Sequence, residues 1–90
     1  MSVYAFESVT VSTTAVTLTS ATFDNATKAV VSLEGATVRF RPDDTDPTAA
    51  IGHELVAGDV LTLETPDEIQ RVSFISKDGG TGTLRVTYFV

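Results

Sequence analysis

Cysteine and tryptophan do not occur in this chain, and methionine and histidine occur once each. Without cysteine there is no disulfide framework and no thiolate metal site, so synthesis inside the cell is expected. A lone histidine, His53, lacks the several nitrogen or sulfur ligands that a zinc site needs. It serves a Ser-His-Asp relay only if a nucleophile stands within hydrogen-bond reach, and it reads more simply as a strand residue beside the Gly52 turn. Lys and Arg total 6 against 12 Asp and Glu, a net charge of −6. A face able to neutralise phosphates is therefore missing, which argues against nucleic acid as a partner. No apolar run reaches the roughly 18 residues that would span a membrane. Met1–Val11 has no charged segment leading into an apolar one, so no secretory leader is expected.

What is present is one domain's worth of chain. At 90 residues with 42% apolar and 20% charged residues, positions 1–90 form a single folded unit with a thin core. Thr and Val dominate, at 15 and 12 copies. Both are β-branched and suit a pleated, half-buried surface. No window repeats apolar residues at helical spacing.

Short segments of period 2 follow one another instead. Thr83–Val90 sets Leu84, Val86, Tyr88 and Val90 on one face and Thr83, Arg85 and Thr87 on the other, with Phe89 interrupting the polar face. Thr37–Arg41 turns Val38 and Phe40 inward and Arg39 and Arg41 outward. Val30–Leu33 precedes it across Glu34-Gly35-Ala36, a spacing that suggests a hairpin. Val60–Glu64 pairs Leu61 with Leu63. Ile69–Lys77 carries Val72 and Phe74 on one parity and Ile69 and Ile75 on the other, which calls for two covered faces or a bulge. Tyr4–Ser12 also changes parity, between Phe6 and Val9, and Ala15–Thr19 is a Thr-rich strand. Pro66-Asp67, Ala57-Gly58-Asp59 and Asp78-Gly79-Gly80-Thr81-Gly82 read as turns, the last as a hairpin turn. Phe23–Thr27 is the one place for a short helix. Seven to eight short strands at this spacing predict an all-β fold, a small antiparallel β-sandwich of jelly-roll or immunoglobulin-like type.

Residues with chemical potential are few. Asp43, Asp44 and Asp46 could hold Ca²⁺, but their spacing is not that of an EF-hand. A turn in which Asp and Thr side chains bond nearby amides accounts for them more simply. Glu54, Glu64, Asp67 and Glu68 are not placed in pairs by any pattern that glycoside hydrolysis requires. Gly79-Gly80-Thr81-Gly82 lacks the Lys-Ser/Thr and the helix of a phosphate cradle. No catalytic residue, metal or cofactor is expected. Arg39 and Arg41 share the outer side of one strand, where they would either grip a partner's carboxylates or pair with acids on their own sheet.

Two resemblances become visible at Val38–Thr48. The run Phe40-Arg41-Pro42-Asp43-Asp44-Thr45-Asp46-Pro47-Thr48 resembles a strand-and-corner motif of immunoglobulin-like modules attached to glycoside hydrolases, with Asp44 where that motif has Gly. More broadly, Phe40-Arg41, Asp43–Thr48, Gly52-His53, Gly58-Asp59, Asp67-Glu68-Ile69 and Gly82-Thr83-Leu84-Arg85-Val86-Thr87-Tyr88 resemble short acidic proteins of tailed bacteriophages and prophages, encoded near capsid genes. That second resemblance implies a virion protein without enzymatic activity. It implies a capsid decoration or cement protein assembled in the host cytoplasm, touching the major capsid protein or another virion protein. A tail or head–tail adaptor component and a carbohydrate-binding sandwich module are the alternatives. Apolar residues near both chain ends add an expectation of self-association, with a trimer implied by analogy with decoration proteins. Tyr4, Phe6 and Phe89, together with Arg39 and Arg41, are the partner-contacting residues expected.

Overall fold

The structure is a computed structural model that describes residues 2–23 and 25–90, without the side chains at 20 and 21. It is a two-sheet antiparallel sandwich. Its elements in chain order are β1 (Val3–Val11), β2 (Val16–Thr17), α1 (Ser20–Phe23), β3 (Lys28–Gly35), β4 (Val38–Arg41), β5 (His53–Leu55), β6 (Val60–Leu63), α2 (Pro66–Arg71), β7 (Ser73–Ser76) and β8 (Gly82–Phe89). One sheet has the order β1-β8-β3-β6 and the other β2-β7-β4-β5. The all-β sandwich of about eight short strands is what the period-2 segments anticipate.

Both sheets contribute their inward parity to one core. Val11, Ala29, Val31, Leu33, Leu63, Leu84, Val86 and Tyr88 come from the first sheet, and Val38, Leu55 and Phe74 from the second. The open sides of the sandwich are plugged by Leu18, Phe23, Ala26, Ile69 and Val72 from the connecting segments. Val90, expected to share the face of Leu84, Val86 and Tyr88, is instead exposed past the end of β8.

Two expected hairpins are crossings between sheets. The Gly35–Thr37 link carries the chain from β3 in one sheet to β4 in the other, and the 77–81 link carries it back from β7 to β8. The two corners lie against each other: the Ala36 amide donates to the Thr81 carbonyl at 3.2 Å and the Lys77 amide to that of Thr37 at 3.0 Å. Gly35 and Gly82 face one another in the β3–β8 ladder. A Cβ on Gly35 would sit 2.8 Å from the Thr81 carbonyl oxygen, and one on Gly82 would sit 2.8 Å from that of Ala36. Gly82 is therefore required by close backbone approach, and Gly35 both by that approach and by its φ of 90°, rather than by a hairpin turn.

The parity break in Ile69–Lys77 comes from a helix followed by a strand covered on both faces, with Ser73, Phe74 and Ser76 buried and Ile75 half-buried, and no bulge interrupts its pairing with β4. Pro66–Arg71 is a helix, and only Ser73–Ser76 is strand. Thr65 caps that helix by accepting the Glu68 amide at 3.1 Å, while the Glu68 carboxylate accepts the Glu64 amide at 3.0 Å. Together with Pro66 in the first turn, this satisfies donors that the helix start would otherwise leave open. The other helical turn is Ser20–Phe23, upstream of the expected Phe23–Thr27, of which position 24 lies outside the described residues. From Ala5 to Val11 the parity of β1 does not change, its one register shift lying between Val3 and Ala5. Ala5, Glu7, Val9 and Val11 face inward, so Phe6 faces out. Among the described residues, no helix is long and apolar enough to cross a membrane.

Candidate partner-binding surfaces

The fold separates the expected contact residues into two groups on opposite outer faces. Tyr4, Phe6 and Phe89 belong to the β1-β8-β3-β6 sheet, and Arg39 and Arg41 to the other.

On the second sheet both guanidinium groups are engaged within the chain. Arg39 donates from Nε to the Ala49 carbonyl at 2.9 Å and from Nη1 to that of Gly52 at 3.0 Å. It thereby staples the loop that returns from Pro47 to the start of β5. Arg41 grips the Asp43 carboxylate bidentately, at 3.1 and 2.6 Å. This hydrogen bonding holds the Asp43 carboxyl below the usual carboxylate range and raises the Arg41 guanidinium. Among the described residues, neither arginine bonds directly to an acid across the sheet. The cross-strand ion pair on this side is Lys77–Glu54 at 2.7 Å, and it likewise lowers the Glu54 carboxyl.

The acidic corner is tied to arginines. Asp43 faces Arg41, the Asp44 carboxylate lies 3.7 Å from Arg71, and the Asp44 amide donates to the Arg71 carbonyl at 3.3 Å. Thr48 closes the turn by accepting the Ala50 and Ile51 amides. Among the described residues, no three His, Asp or Glu side chains converge to hold a metal ion. Arg41, Pro42, Asp43, Ile51, Gly52 and His53 line a shallow groove of about 480 Å³. The His53 ring packs on Phe40 with centroids 5.4 Å apart, so histidine sits at the groove rim with an aromatic neighbour and, among the described residues, no hydroxyl bonded to it.

The outer face of the first sheet is different in kind. The ladders align Phe6 with Thr87, Val30 and Thr62 in one row across all four strands, and Ser8 with Arg85, Ser32 and Val60 in the next. Val3, Phe6 and Val60 are 69%, 59% and 63% exposed, and Tyr4 is exposed beside them. Phe89 is half-buried, with the Lys28 ammonium 5.9 Å above its ring. Arg85 is held by Ser8 at 2.7 Å and by Glu34 at 3.3 Å. The result is a four-strand surface of Thr, Ser, Val and Phe with few charges, about 20 Å across at ordinary strand spacing. Sequence reasoning picked out Tyr4, Phe6 and Phe89 but not Val30, Thr62 or Val60. Their places depend on the β3–β6 and β3–β8 pairings, which no local pattern reveals.

Comparison of the chain with known protein families, with characterised proteins and with solved structures gives no match.

Proposed function

We propose that this protein is a structural component of a tailed-phage particle, a capsid decoration protein that docks through the outer face of the β1-β8-β3-β6 sheet. The observation that carries the reading is the set of exposed apolar side chains on that face, Val3 and Phe6 at its β1 edge and Val60 at its β6 edge. Large apolar side chains left in water on one face of a small folded domain mark an interaction site, because exposing them costs free energy that a partner recovers. A sheet is also a stiff platform, so little ordering entropy opposes docking. The net charge of −6 keeps the free protein soluble before assembly. A shell repeats its sites many times, so a modest contact per copy suffices when copies are linked. The motif run from Phe40 to Tyr88 supplies the phage assignment.

The test is co-sedimentation with heads of the encoding phage assembled without the protein. Saturable binding at a fixed ratio to the major capsid protein is expected, and the Phe6→Lys and Val60→Lys variants should lose it. Absence of the protein from purified particles by mass spectrometry would overturn the reading. Its presence on tails alone would replace decoration with the tail or adaptor role.

A further inference from the structure

We infer that β1 is a self-pairing edge, and that two copies of this chain join by antiparallel β1–β1 pairing into a continuous eight-stranded sheet. This does not depend on the particle reading. Each sheet has two edges, and the four edge strands differ greatly in length. β1 has 9 residues, whereas β6, β5 and β2 have 4, 3 and 2. Among the described residues, strand β8 lies on one side of β1 and no strand on the other. Every second residue of β1 therefore turns its N–H and C=O away from the sheet, which is a template for another strand.

Natural edges are commonly blunted by shortness, proline, lysine, bulges within the strand, inward-pointing charges left to repel a partner, or a covering helix. The three other edges are short. β1 has neither proline nor lysine, and its one bulge lies at its start, between Val3 and Ala5. Its only charge, Glu7, points inward, where it accepts from the Tyr88 hydroxyl and from the Thr19 amide at 3.1 Å. Helix α1 approaches from that core side, with Phe23 packed on Tyr88. The outward side chains Phe6, Ser8 and Thr10 are uncharged, so a two-fold axis brings no like charges together despite the net charge of the chain.

Length selects the occupant. Of the four edges in this chain, only β1 can satisfy the full span of β1. A head-to-tail ring, as a trimer would need within this sheet, has to match β1 to the 4 residues of β6. Isologous pairing also sets Phe6 and Tyr4 of the two copies on one shared face, which enlarges the apolar surface.

The chain has no cysteine, so single-cysteine variants report proximity cleanly. Phe6→Cys, Ser8→Cys, Thr10→Cys and Val60→Cys are oxidised, and sedimentation velocity follows the unmodified chain from low to high micromolar concentration. The unmodified chain should shift from 9.5 kDa to twice that mass. Directly opposed residues in an antiparallel pair have Cα atoms about 4.5–5.5 Å apart, within disulfide reach. Cross-linking should therefore peak at one β1 position and decline to either side, with none at Val60. Phe6→Lys and Thr10→Lys should each weaken the dimer by about tenfold or more, while Val60→Lys leaves it unchanged. A monomer at every concentration overturns the inference. Strongest cross-linking through Val60, or between Val60→Cys and a β1 variant in a mixture, overturns it in favour of face packing or a head-to-tail ring.

Discussion

The Tyr88 hydroxyl donates to the Glu7 carboxylate across the boundary between β8 and the edge strand β1. The same oxygen, Oε2, accepts the Thr19 amide. One carboxylate thus joins the edge strand, the central strand and the segment leading into α1. Glu7→Ala would leave a buried hydroxyl without a partner, which costs about 1–3 kcal/mol. Glu7→Gln keeps an acceptor in place and should cost less than half as much. Chemical denaturation of both variants and of Tyr88→Phe tests this. The double variant Glu7→Ala/Tyr88→Phe should be less destabilised than the two single losses added together, because the groups share one interaction.

Alkaline pH should unfold the protein through the same residue. Burial, then the hydrogen bond and the negative charge of Glu7, push the Tyr88 hydroxyl well above the usual tyrosine value near 10. A raised folded-state pKa means that the unfolded chain loses the proton first. Stability from this source is complete below about pH 10 and falls as pH rises further. In a Tyr4→Phe background Tyr88 is the sole tyrosine. Its phenolate absorbance should then appear together with loss of the β-sheet circular dichroism signal, not before it. Phenolate formation with the sheet intact would contradict the burial.

Much of the strand inventory was legible because burial in a two-layer sandwich imposes period 2 on each strand separately. Leu84, Val86 and Tyr88, or Leu61 and Leu63, announce an inward face without reference to any partner. Which strands pair is a different matter. Glu34-Gly35-Ala36 and Asp78–Gly82 carry the turn residues of a hairpin, yet the same residues serve a crossing between sheets. What separates the cases is the neighbouring corner, 40 or more residues away in sequence. The helix at Pro66–Arg71 did leave a local signal, the Thr65-Pro66-Asp67-Glu68 capping pattern, which Pro66-Asp67 read as a turn obscures. Of the expected contact residues, Phe89 stands out as an apolar residue on a polar face, and Phe6 as part of the apolar run Val3-Tyr4-Ala5-Phe6. The engagement of Arg39 by the Ala49 and Gly52 carbonyls could not be foreseen, because it requires the 47–52 loop to fold back over β4.

That staple should be measurable. Arg39→Met keeps most of the aliphatic stem and removes both charged donors. The sandwich should persist, with a loss of about 1 kcal/mol, because the loop is solvent-exposed and the hydrogen bonds are only partly shielded. Amide hydrogen exchange should accelerate at Ile51 and Gly52 and stay unchanged in β8. Equal acceleration in both would show that Arg39 supports the core and not the loop.

Asp44 is the only non-glycine residue with positive φ among the described residues, at 66°. L-residues adopt that region at a cost, smaller for Asp and Asn than for the rest. Its carboxylate recovers little, since the contact with Arg71 is 3.7 Å long and exposed. Asp44→Gly should therefore raise stability by up to about 1 kcal/mol, while the β-branched Asp44→Val should lower it by about 1–2 kcal/mol. Thermal melts at neutral pH order the three proteins Gly, Asp, Val if backbone strain governs. If the exposed ion pair governs instead, Gly and Val lose stability alike.

The corner where the sheets exchange strands should be the least forgiving place in the chain. Gly82 is buried, and a methyl group there would meet the Ala36 carbonyl oxygen at 2.8 Å, Leu33 at 3.1 Å and Val38 at 3.2 Å. The side chains can shift by a few tenths of an ångström, but the carbonyl belongs to the opposing corner, whose Ala36 amide is fixed on Thr81. Relief requires the two crossings to separate, and that strains the β3–β8 ladder where Gly35 faces Gly82. Overpacking of this kind costs about 1–3 kcal/mol or more, a large share of the stability of so small a domain. Gly79 makes a useful contrast, because a Cβ there meets nothing within 4 Å, although its φ of 80° still favours glycine. Gly82→Ala should lower the denaturation midpoint clearly more than Gly79→Ala. The reverse order would mean that turn conformation, rather than contact between the corners, holds the crossings in place.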